Sequence, residues 1–99
     1  MKIAAILLIS IVTFASTALT QVIDPECVSQ GKLAYSLAQL RDKGQSEKNV
    51  EKVIQENVDP HERADAYIIM SSVFLAGASL TPDELKRAVF DSCQRKADR

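Results

Sequence analysis

From residue 24 onward, apolar residues recur at three- and four-residue steps and nowhere settle into strict alternation, which predicts helices and no strands. The longest such pattern spans Asp59 to Ala78. Asp59, Pro60 and Glu62 form its start signal, as N-cap, first helical residue and the acceptor that completes a capping box. Ala64, Tyr67, Ile68, Ser71, Phe74, Leu75 and Ala78 then share one face, while Ile69, Met70 and Val73 widen the apolar surface. Gly77 and Ser79 weaken continuation, so a helix is expected over about 60–77, with the remaining elements packed on it.

Three further helices follow from the same reasoning. Asp24-Pro25-Glu26 opens one over about 25–43, with Cys27, Ala34, Leu37 and Ala38 on a common face, Leu33 and Leu40 beside them, and Gly44 ending it. Ser46 caps a shorter one over about 47–56 that has only Val50, Val53 and Ile54 as apolar anchors, and Asn57 is expected to end it in a left-handed conformation. Thr81-Pro82-Asp83-Glu84 is the cleanest start signal of all: Thr81 caps, Glu84 completes the box and Leu80 staples onto Leu85. That last helix, over about 82–95, turns Leu85, Ala88, Val89 and Cys93 inward with Phe90 beside them. The expected fold is all-α, a compact four-helix unit.

The segment before residue 24 reads differently. Met1 and Lys2 give a short basic start, Ile3 to Ala15 form an apolar run, and Ser16-Thr17-Ala18 supplies the small residues of a cleavage site. Residues 1–18 are therefore expected to be a signal peptide, with cleavage after Ala18, or after Thr20 as the second choice, and 19–99 a single helical domain. The run falls short of the ~20 apolar residues of a bilayer span; no stable membrane insertion is expected once it is removed, although an uncleaved anchor is the alternative. The expected location is exported, periplasmic or secreted.

Export changes the meaning of the two cysteines. An even pair in an oxidising compartment predicts one disulfide, Cys27 to Cys93, which closes most of the mature chain into a loop. A redox or metal role is weaker, because neither cysteine lies in a Cys-x-x-Cys and His61 is the sole histidine. The formal net charge of -1 argues against nucleic acid as a partner, since no basic stripe is present to neutralise phosphates.

Candidate chemistry is sparse. His61 sits in a first helical turn, and a zinc site there would have to recruit Glu62 and Asp65. Ser71 and Ser72 lie mid-helix without a glycine elbow or a base. The paired acids Asp83 with Glu84 and Glu62 with Asp65 are explained by capping and the helix dipole. Glu47, Lys48, Glu51 and Lys52 read as a solvated face. No enzyme and no cofactor are expected.

With Cys27, Gly31-Lys32-Leu33-Ala34, Leu40-Arg41-Asp42-Lys43-Gly44 followed by Ser46, Thr81-Pro82-Asp83-Glu84 and Phe90-x-x-Cys93, the chain resembles small exported bacterial proteins of uncharacterised function. The Phe90-x-x-Cys93 ending is also similar to that of periplasmic immunity proteins that neutralise secreted cell-wall amidases. Size, helicity and a single disulfide resemble the acid-activated periplasmic chaperones. The leading expectation is a non-enzymatic protein that binds another protein, through a patch drawn from Ile69, Met70, Val73 and Phe90. The alternatives are an acid-responsive chaperone and a carrier of a small apolar ligand.

Overall fold

A computed structural model describes residues 22–98. Four α-helices account for most of them: α1 (Pro25–Asp42), α2 (Glu47–Asn57), α3 (Arg63–Phe74) and α4 (Pro82–Ala97), with a 3-10 turn at Pro60–Glu62 before α3. Strands are absent among the described residues. No described helix is long and apolar enough to cross a membrane. The expected signal peptide and both cleavage positions lie outside the described residues.

The helix that organises the fold is α1, not α3. α4 packs antiparallel along it and α3 packs on another side of it, while α2 rests chiefly on α3. Small residues permit the central placement. Cys27, Gly31, Ala34, Leu37 and Ala38 are all buried, so two helices approach α1 closely without long side chains between them. At the α1–α4 crossing a Cβ on Gly31 would lie 3.1 Å from the Lys86 carbonyl oxygen and 3.4 Å from Phe90 Cβ, which leaves little room for any side chain. Lys86 also lies 5.9 Å from the Tyr35 ring centroid, a cation–π contact at the edge of the same crossing.

Caps fix the ends of these elements. The Asp24 carboxylate accepts the Glu26 N–H at 2.9 Å, the Ser46 hydroxyl accepts the Asn49 N–H at 3.1 Å, and Gly44, at φ 91°, turns the chain between α1 and α2. Gln94 on α4 holds the entry to α1 from both sides: its amide donates to the Val22 carbonyl at 2.7 Å, and its carbonyl accepts the Asp24 N–H at 3.1 Å. The disulfide joins Cys27 and Cys93 with 5.3 Å between their Cα atoms, at the same end of the α1–α4 pair.

Three local expectations differ from the structure. Asp59 makes no side-chain cap bond, and the segment expected to open α3 is the 3-10 turn; α3 ends at Phe74, where Leu75 to Ser79 turn away. Asn57 is not left-handed, since no described non-glycine residue has positive φ. Its amide donates back to the Val53 carbonyl, and α2 is closed by Arg63, which donates to the Val58 carbonyl at 3.0 Å and the Gln55 carbonyl at 2.8 Å. Finally, Val53 is 40 % exposed, which leaves Val50 and Ile54 as the anchors of α2.

The start of α4 follows the expected capping box. Thr81 Oγ1 accepts the Glu84 N–H at 3.2 Å, and the Glu84 carboxylate accepts the Thr81 N–H at 3.0 Å. The backbone bond from Thr81, and then its hydroxyl, hold the Glu84 carboxyl below its ordinary value of 4.5. A group whose folded pKa is depressed contributes stability above its unfolded value and loses it as pH falls through the folded one. Wild-type protein and Glu84→Gln are therefore expected to differ most near neutral pH and to converge below about pH 4.5. Urea midpoints at neutral and acidic pH measure this; a difference that grows in acid would contradict the capping role.

Candidate functional site

The buried face of α3 is Ala66, Ile69, Met70 and Val73, displaced by two residues, and so nearly to the opposite side, from the face expected for it. Both sets repeat at helical spacing, and a helix apolar on most sides leaves the choice to its neighbours. Packing against both α1 and α2 selected the set that begins at Ala66. Three of the four residues expected to meet a partner are thereby used up: Ile69 and Met70 are 6 % exposed and Val73 is fully buried, so they form core rather than a free patch. Phe90 is half-buried beside the α1–α4 crossing.

The same rotation carries Ile68 and Leu75 outward, at 66 % and 70 % exposure. Ile68 has a role that the sequence reading missed. α3 and α4 lean on α1 from different sides and have almost no direct contact with each other, so an open groove of about 470 Å³ lies between them. Its apolar walls come from Ile68, Ile69, Leu80, Leu85, Ala88 and Val89. Gln30 of α1 and the disulfide sulfur residue Cys93 also line it. Ala88, expected to point inward, is exposed here.

Connectivity gives the groove a direction. At one end α3 and α4 are joined by the turn that contains Gly77 and Leu80; at the other, Asp65 from the start of α3 and Lys96 from the end of α4 stand on opposite lips. A second hollow of about 270 Å³ adjoins that open end and shares Gln30, Asp65 and Ile69 with the groove. Four carboxylate residues line it, Glu26, Asp59, Glu62 and Asp65. All four are exposed. None of these carboxylates has an ion-pair partner among the described residues, where the single pair joins Arg41 and Asp42.

His61 is exposed as well. With Asp59 and Glu62 it brings three ligand atoms within 4.8 Å of one another, a set of two oxygens and one imidazole that leaves most of a cation's coordination to water. Asp65 is not part of that group, so the carboxylate pair envisaged for zinc is not assembled. Ser72 donates to the Ile68 carbonyl at 3.1 Å within its own helix, an intrahelical bond, and Ser71 is half-buried.

Comparison of the chain with protein-family models, with curated proteins and with solved structures finds no match in any of the three.

Proposed function

We propose that the chain is an exported, non-enzymatic binding protein that takes a protein partner in the groove between α3 and α4. The observation that carries this reading is the groove itself: apolar walls, with exposed Ile68 and Ala88, lie on a support that a disulfide holds together. Exposed contiguous apolar surface on a small protein marks a place where another molecule binds. A binding face needs rigid backing to limit the ordering cost of association. The Cys27–Cys93 bond supplies it by tying α4, one wall of the groove, to the central helix α1.

Site-specific photocrosslinking in the source cells tests this. A photoreactive side chain in place of Ala88 is expected to give a discrete adduct with one protein, whereas the same group in place of Lys52 on α2 gives none. Equal labelling from both positions, or no protein adduct from position 88, would overturn the reading. Adducts with lipid alone would replace it with the carrier.

A further inference from the structure

Resting on that reading, we infer that the occupant of the groove is an amphipathic helix of the partner protein, bound antiparallel to α1 and α3 with basic side chains in its last turn. Shape and charge point the same way. The groove runs beside α3 from Asp65 to the end of the helix at Phe74, which at ~1.5 Å per residue is a trough of about 14 Å, the length of a helix of some nine or ten residues. Its walls offer apolar side chains over the middle and the closed end, and polar ones, Gln30, Asp65, Ser92 and Lys96, at the open end. A helix laid in it would fill the gap that α3 and α4 leave open and so complete a layer of parallel and antiparallel helices on α1.

Charge fixes what the ends of that helix carry. The carboxylates of Glu26, Asp59, Glu62 and Asp65 gather at the open end. The N-termini of α1 and α3 lie at the same end and offset part of this charge. Each contributes about +0.5 of a charge, and Lys96 stands on the far lip, so the four carboxylates still leave roughly two negative charges. Lysines or arginines of the partner answer that surplus. Such residues favour the last turn of their own helix, whose carbonyl end is negative. Placing that turn at the open end sets the incoming dipole antiparallel to that of α3, one wall of the groove, and parallel to that of α4, the other, where Lys96 on the far lip faces both carbonyl ends.

Three fluorescein-labelled peptides of about 14 residues with one leucine and alanine stripe test the inference by anisotropy on the disulfide-intact protein. The first has lysines in its last turn, the second glutamates there, and the third lysines in its first turn instead. The first is expected to bind roughly tenfold tighter than either of the others, with the advantage shrinking as salt is added. Glu62→Lys with Asp65→Lys should transfer the preference to the glutamate peptide, and Ala88→Arg should abolish binding of all three. Both changes are at exposed positions, and thermal melts verify that the variants fold.

Equal affinity for the three peptides, or preference for the glutamate peptide by the unaltered protein, would overturn the inference. So would failure of every peptide while position 88 still crosslinks to a protein, and that result would leave the binding reading in place. Loss of both peptide binding and the adduct would remove the two together. A second copy of the chain as the crosslinked species, or binding to lipid vesicles in preference to the peptides, would also overturn it.

Discussion

Replacing Cys27 and Cys93 together by alanine is expected to lower the free energy of unfolding by about 4 kcal/mol. The bond joins residues 66 positions apart, and closing a loop of that length removes chain entropy from the unfolded state in this amount. Few domains of this size draw more than ~3 to 5 kcal/mol from their core, so the loss is comparable to the whole stability of the reduced chain. The buried set is correspondingly light: Ile54, Val50, Val73 and Cys27 are the largest fully buried side chains. Urea titration followed by circular dichroism, on oxidised protein, reduced protein and the double variant, measures the effect. The last two should coincide, with midpoints far below that of the oxidised protein. A loss below about 1 kcal/mol would mean that helix packing alone holds the domain. Reduction should also detach α4 from the start of α1 and with it one wall of the groove, so partner capture at position 88 should fail under reducing conditions.

The parts of this fold legible in the sequence are those set by local chemistry. Ser46 and Asp24 cap where a side-chain oxygen precedes a helix, and the Thr81–Glu84 box closes as its spacing demands. The single disulfide follows from the cysteine count. The inward face of α1 was also readable, because its opposite side carries Lys32, Ser36 and Gln39, which leaves one apolar stripe. α3 offered no such contrast. Its two stripes are offset by two residues and lie on nearly opposite sides, and only the positions of α1 and α2 decide between them, a tertiary fact that no local window contains. The groove was hidden for the same reason. It arises from how far α3 and α4 diverge, and its one trace in the sequence is the surplus of apolar residues in the third helix beyond what one buried stripe requires. Ile68 is the remainder after Ala66, Ile69, Met70 and Val73 are spent.

Arg41 was equally illegible, and its removal carries the other large expected effect. As a residue in the last turn of α1 it looks like an ordinary complement to the helix dipole. In the structure its guanidinium leaves α1 and closes the opposite connection. Nη1 donates to the carbonyls of Val73 and Gly77, both at 3.0 Å, and Nη2 donates to the Leu80 carbonyl at 2.7 Å. One planar fork thus satisfies the end of α3 and the turn that leads into α4. Its side chain is 13 % exposed, whereas that of its ion-pair partner Asp42 is 50 % exposed. The two neighbours should therefore behave differently. Asp42→Asn removes a largely solvated pair and is expected to cost under about 1 kcal/mol. Arg41→Met leaves three carbonyls without their charged donor and is expected to cost about 3 kcal/mol. Arg41→Lys should fall between them, because a single ammonium cannot span the three acceptors. Denaturant midpoints of the three variants, measured with the disulfide intact, check this order. Equal effects of Arg41→Met and Asp42→Asn would reduce Arg41 to a surface charge. If the order holds, Arg41→Met should also weaken whatever the α3–α4 groove binds, since the turn that Arg41 fixes is the groove's closed end.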